Sequence, residues 1–203
     1  MEKMTLFTGG LVYTGGAFLR AELLIEGKKI AGLYMPGEVP GCDYDRVDCT
    51  GLRIVPGFVD IHIHGRGGHD ITRGGAPEVS KLLPATGVTS FMPATMTESY
   101  EGSLRLLGDL ASCVENQDLS STCAEAVGIA AEGMYFSPAK AGAQNPAFLR
   151  HPTVREAEAL LDAGRGDAPA GASAPGLRAR PMAQPQRQLG VHLRRRRGRR
   201  SPF

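Results

Sequence analysis

The stretch Val55-Pro56-Gly57-Phe58-Val59-Asp60-Ile61-His62-Ile63-His64-Gly65 decides how this chain is read. Its apolar residues, with Ile54 before them, predict a buried strand. The Pro56-Gly57 pair marks where it opens, and Gly65, Gly67 and Gly68 mark the turn where it ends. Alternate residues of a strand share a face, so His62 and His64 project together at its C-terminal end, with Asp60 below them. Two imidazoles on one side can hold a divalent metal. In a barrel of parallel strands, that end is where hydrolytic chemistry sits. The plain alternative is a pair of polar residues closing a strand before a loop. An apolar strand whose polar ends need partners favours the metal.

On the N-terminal side, residues 1–53 read as short strands parted by glycine turns: Leu11-Val12-Tyr13, Ala17 to Ile25, and Lys29 to Tyr34. This spacing predicts a β-rich segment, a meander or half of a small sandwich. From Ile54 to residue 163 the rhythm becomes strand and helix in alternation. Ala76 to Thr86 predicts a helix with Val79, Leu82 and Leu83 on one face, Pro77 near its start, and a kink or early end at Pro84. Val88 to Ala94 predicts a buried strand. Ser99 caps a helix running to Val114 along the stripe Leu104, Leu107 and Leu110. Ala126 to Ala131 predicts a third strand, ending beside Glu132. Thr153, with Glu156 three residues on, forms a capping box before a helix carrying Val154, Ala157, Leu160 and Leu161. This order implies an α/β fold with a parallel sheet and right-handed crossovers. A complete (β/α)8 barrel takes roughly 250 residues. The expectation is therefore about three of its β/α units, preceded by the small β-rich segment.

Composition is ordinary for a soluble globular protein, with 42% hydrophobic and 22% charged residues. No apolar run approaches the roughly twenty residues of a membrane span, and Met1 to Gly10 lack the blocks of a secretion signal, so a cytoplasmic location is expected. Cys42, Cys49, Cys113 and Cys123 show no Cys-x-x-Cys spacing and are expected as free thiols. The net charge of +2 averages two unlike pieces. Thirteen Lys and Arg stand against twenty Asp and Glu up to Gly164; ten arginines stand against one acid, Asp167, from Arg165 onward. Residues 164–203 form a low-complexity Arg, Pro and Ala tail, expected to be disordered, that ends in Arg194-Arg195-Arg196-Arg197-Gly198-Arg199-Arg200. Clustered guanidiniums neutralise phosphates, so an arm for nucleic acid is one reading. The absence of lysine and of interleaved aromatics disfavours it. Residues written by GC-rich codons point instead to a frameshifted or truncated translation.

The segment from Pro56 to Gly65 resembles the first barrel strand of the amidohydrolase superfamily. A second segment, Gly128-Ile129-Ala130-Ala131-Glu132-Gly133-Met134-Tyr135-Phe136-Ser137-Pro138 followed by Lys140-Ala141-Gly142-Ala143-Gln144, is more specific. It resembles the Gly-x-His-x-Glu-Gly-Pro-Phe-x-Ser-Pro-x-x-x-Gly-Ala-(His/Gln) signature of N-acetylglucosamine-6-phosphate deacetylases. Gly87 to Thr95 resembles that family's second strand, and the likeness extends to about Leu161.

The resemblance implies hydrolysis of the acetamide of N-acetylglucosamine 6-phosphate, giving glucosamine 6-phosphate and acetate. It implies a divalent metal (Zn, Fe or Mn) bound by Glu132, with His62 and His64 able to hold a second ion. Ala143 and Gln144 match the pair that contacts the sugar phosphate, and full-length relatives are implied to be homo-oligomeric. The general-base aspartate and two further histidines come from later barrel strands in that family. No such residues are found here: His151 and His192 alone follow Glu132 among the histidines. Within the matched segment Ala130 stands where the signature has histidine, and Met134 where it has proline. His69 and Asp70 read as a surface loop. Two other functions remain open at this stage: a different metal-dependent amidohydrolase, acting on a cyclic amide or an N-acyl amino acid, and a non-enzymatic protein with an arginine-rich arm.

Overall fold

The computed structural model describes residues 3–41, 43–119 and 122–165, and the backbone of 194–195. The chain divides into two units, Met1–Phe58 with Pro185–Phe203, and Val59–Gln184.

In the first unit the strands are β1 (Met4–Thr8), β2 (Leu11–Tyr13), β3 (Phe18–Arg20), β4 (Glu22–Glu26), β5 (Lys29–Tyr34), β6 (Asp45–Asp48) and β7 (Leu52–Ile54). They form two mixed sheets, one ordered β5-β4-β1-β6 and one in which β7 pairs β2 and β2 pairs β3. Val12, Ala21, Leu23, Cys49 and Ile54 share one core, so residues of both sheets are buried together. The single strand expected from Ala17 to Ile25 is two. Ala21, buried between β3 and β4, is where the chain leaves one sheet for the other. Asp48 turns β6 into β7: its Oδ1 accepts from Thr50 N at 2.9 Å and Thr50 Oγ1 at 2.6 Å.

The tail expected to be disordered departs from that at four residues: Gly164 and Arg165 end the helix Val154–Arg165, and two more join a sheet. Arg194–Arg195 (β13 in chain order) pair antiparallel with Arg53 and Leu52 of β7. The outer edge of β7 presents free N–H and C=O groups that any extended backbone can meet, whatever its side chains. Residues 166–193 and 196–203 lie outside the described residues.

The second unit carries β8 (Phe58–Ile63), a small hairpin of β9 (Gly65–Arg66) and β10 (His69–Asp70), α1 (Ala76–Leu82), β11 (Val88–Pro93), α2 (Tyr100–Glu115), β12 (Glu125–Ala126) and α3 (Val154–Arg165). Strand order is β12-β11-β8, with β12 parallel to β11. Helix ends follow their local chemistry. Helix α1 stops at Leu82, and Pro84–Thr86 makes one 3₁₀ turn closed by Gly87 at φ +86°. Ser99 caps α2 by accepting from Gly102 N at 3.1 Å. Only half of the expected capping box forms on α3: Thr153 Oγ1 accepts from Glu156 N at 3.2 Å, while the Glu156 carboxylate turns to Arg150.

Two clusters bury the helices. Ile71, Val79, Leu83, Phe91, Leu110 and Ala126 form one, and Leu107, Met134, Leu160 and Ala163 the other. The strand expected to be buried from Val55 begins at Phe58 and is half open, with Val59 61% and Ile61 68% exposed. The cause is position: β8 is an edge strand with β11 as its one neighbour. The third strand is also shorter than expected. Val127 N still donates to Phe91 O at 3.0 Å; the pairing then lapses at Gly128 and Ile129 and resumes as a single parallel bridge between Ala130 and Ala94. Gly128, with no side chain to pack, sits in the lapse.

Candidate metal centre

Strand β8 delivers His62 and His64 side by side at its C-terminal end, as the period of two requires. Their Nε2 atoms lie 3.1 Å apart, with the rings edge to face at 87°. Glu132 arrives from beyond the bridge at Ala130. Its Oε2 stands 2.7 Å from His62 Nε2 and 3.2 Å from His64 Nε2. Among the described residues these three form the one cluster of His, Cys, Asp or Glu placed to share an ion.

Two of the three ligands, His64 and Glu132, are aimed by neighbours. His64 Nδ1 lies 3.3 Å from the carbonyl oxygen of Ala94, the residue after β11. A carbonyl can only accept, so this contact places the proton on Nδ1 and leaves the Nε2 lone pair facing the cluster. Glu132 N donates to Thr95 Oγ1 at 2.9 Å. Glu132 Oε1 accepts from Gln144 Nε2 at 2.9 Å. That leaves Oε2, which is buried and makes no hydrogen bond, pointing at the two imidazole nitrogens. A buried carboxylate oxygen without a hydrogen-bond donor is costly in an apolar setting, and a cation between the three atoms removes that cost. Two neutral imidazoles and a carboxylate suit a borderline divalent ion such as Zn²⁺, and the residues fit the group.

The other residues singled out by sequence fall as follows. Asp60 turns back on its own strand, its Oδ1 accepting from His62 N at 3.1 Å. Ala143 is exposed. Gln144 is buried, 6% exposed, and its carbonyl accepts from Thr97 N and Thr97 Oγ1, both at 2.7 Å. Met134 fills the core beneath α3, a place its flexible apolar side chain suits. Asp70 caps the 3₁₀ turn Ile71–Arg73, accepting from Thr72 N at 2.8 Å and Thr72 Oγ1 at 2.7 Å. The Thr72 hydroxyl, with help from the Thr72 backbone N–H and Arg73, holds the Asp70 carboxyl below the usual carboxylate range.

Two residues were not anticipated: Thr95 and Thr97, 2% and 5% exposed. The signal available was their spacing, two polar residues at i and i+2 directly after the apolar run of β11, the same pattern that marked His62 and His64.

The fold is α/β, and the cluster is a candidate centre for a divalent metal. No family model matches the chain. Among curated proteins it is 36% identical over 111 residues to N-acetylglucosamine-6-phosphate deacetylase of Danio rerio, covering 52% of this chain and 26% of that protein. It is 31% identical over 165 residues to the enzyme of that name in Bos taurus, covering 77% of this chain and 38% of that protein. Among solved structures it overlays a variant of N-acetyl-D-glucosamine-6-phosphate deacetylase from Mycobacterium smegmatis in complex with N-acetyl-D-glucosamine-6-phosphate. That match has a TM-score of 0.67 at 29% identity, over 82% of this chain and 42% of that one. The chain is a relative of the N-acetylglucosamine-6-phosphate deacetylases. It spans 25–39% of the length of the curated deacetylases it matches, consistent with an N-terminal fragment of that family.

Proposed function

We propose that this chain carries the metal-binding start of a metal-dependent amidohydrolase of amino-sugar metabolism, whose whole form hydrolyses N-acetylglucosamine 6-phosphate to glucosamine 6-phosphate and acetate. On this reading β8, β11 and β12 are the first three strands of a (β/α)8 barrel, and their C-terminal ends face the reaction. The convergence of His62, His64 and the unbonded Glu132 Oε2 carries the proposal. The substrate class rests on the names of the relatives and on the segment from Gly128 to Gln144. A bound divalent ion would activate water and polarise the acetamide carbonyl. The chain's own part is to hold that ion: His64 fixed through Ala94, Glu132 fixed through Thr95 and Gln144.

We propose further that the chain does not turn over substrate by itself. A general base within reach of the attacking water is needed, and losing such a group removes orders of magnitude in rate. His151, the one described histidine after Glu132, is exposed and lies beyond the loop that ends at Arg150. The test is purified chain supplied with Zn²⁺ and N-acetylglucosamine 6-phosphate, with acetate release followed over time. No release above the metal-only background is expected. Steady release abolished by Glu132→Gln would overturn the inactivity while supporting the reaction.

A further inference from the structure

We infer that Gln144 is a positioning residue for the metal ligand Glu132; this rests on the metal-site reading above. The argument begins with the direction of the amide. Oxygen and nitrogen of a glutamine are told apart by their partners, and a backbone N–H can only donate. The Thr97 N–H, 2.7 Å away, therefore fixes the carbonyl oxygen of Gln144 on its own side. The Thr97 hydroxyl donates to the same oxygen at 2.7 Å. The amide nitrogen is thereby turned toward Glu132, where it donates to Oε1 at 2.9 Å, with Met96 Sδ at 3.8 Å as its other neighbour. Both ends of the amide are taken up by protein, and the side chain is 6% exposed. The side chain is thus held in one orientation by its protein partners.

The consequence falls on the other carboxylate oxygen. With Oε1 held by Gln144, rotation of the Glu132 carboxylate is blocked, and Oε2 is the atom presented to His62 and His64. Gly133 makes room for this arrangement. Its φ is +98°, and a Cβ there would fall on the Thr97 hydroxyl and within 2.6 Å of Gln144 Oε1. Thr97, Gln144 and Gly133 together form a clamp that ties the loop after Ala130 to the end of β11. Partners of this kind, one bond behind the ligand, commonly change metal affinity by about 10- to 100-fold when lost.

The experiment titrates the purified 203-residue chain with Co²⁺, followed by its visible absorption, and competes the ion with a chelator. Wild type is compared with Gln144→Leu, Gln144→Glu and Thr97→Val. Gln144→Glu keeps the shape but offers no amide donor, so it separates hydrogen bonding from packing. Gln117→Leu is the control: Gln117 makes comparable bonds to Ala126 N and O, away from the cluster. The expected result is a loss of about 10- to 100-fold in Co²⁺ affinity for both Gln144 variants, with an altered absorption band. Thr97→Val should show a smaller loss, and Gln117→Leu should lower the melting temperature without changing affinity. Gln144 variants that bind Co²⁺ as wild type does, with the same band, would overturn the inference. Failure of the wild type to bind Co²⁺ at all would sink the metal-site reading itself, and the inference with it.

Discussion

Four neighbouring groups converge on Glu132: the Thr95 hydroxyl accepts from its backbone N–H, while the Gln144 amide and the two imidazoles face its carboxylate. A solvated loop acid needs none of these. Gly133→Ala tests how tightly the arrangement is drawn, because the substitution adds a Cβ where φ is +98° and the Gln144 amide is already in place. Backbone strain of this kind costs about 1–3 kcal/mol. We expect a lower thermal midpoint together with weaker Co²⁺ binding; a variant as stable as wild type would show the loop to be loose. His62, His64 and Glu132 were legible in the sequence because strand periodicity and a short motif suffice to place them. Thr97 and its contact with Gln144 were not. Their meeting spans 47 positions and depends on where the loop after β12 returns, which no local pattern encodes.

Among the elements, the helices were the most readable. Caps at Ser99 and Thr153, an apolar face and a proline break are all local signals, and each reappears in place. Strand limits were less readable, because they depend on which edge finds a neighbour. Ile61 looked buried by its apolar company and is 68% exposed, since β8 has one neighbouring strand. Phe91 is the opposite case, a central-strand residue 1% exposed in the cluster that seats α1 and α2. Phe91→Ala should cost about 3–5 kcal/mol, read from denaturant unfolding, and a cost below about 1 kcal/mol would mean that this cluster is not the core.

Asp70 gives the 3₁₀ turn after β10 a pH dependence whose sign is set. Its carboxyl titrates below the ordinary range because the Thr72 hydroxyl donates to the charged form. The folded state thus binds its proton later than the unfolded state. Its stabilisation is complete above the ordinary carboxylate range and is lost as pH falls through the lowered value. Asp70→Asn should flatten that acid limb in thermal melts taken across pH, and an unchanged limb would assign it to other carboxylates.

In the second unit, among the described residues, β8 and β12 are the sheet's edges; Gln117 takes up the backbone of Ala126 on the β12 edge, and the β8 edge has no partner strand. Val59, Ile61, Val127, Phe136 and Leu161 stand 43–68% exposed. A cavity of about 640 Å³ is lined by Leu107, Ile129, Met134, Tyr135, Phe136 and Leu160 among others. An open edge and apolar surface favour self-association over a single compact species. We therefore expect a broad melt and species larger than a monomer in sedimentation. A sharp, monomeric transition would contradict that expectation. Among the described residues no helix is long and apolar enough to cross a membrane.

Metal should act against this weakness, because an ion that binds only the folded arrangement adds about 2.7 kcal/mol at a hundredfold excess over its Kd. The measurement that bears most directly on the account is metal stoichiometry, by equilibrium dialysis of the chain against Zn²⁺, for wild type and for His62→Ala combined with His64→Ala. One ion held by wild type, absent from the double variant and accompanied by loss of the Zn²⁺-induced rise in melting temperature, is the predicted result. Equal metal content in the two proteins would contradict it.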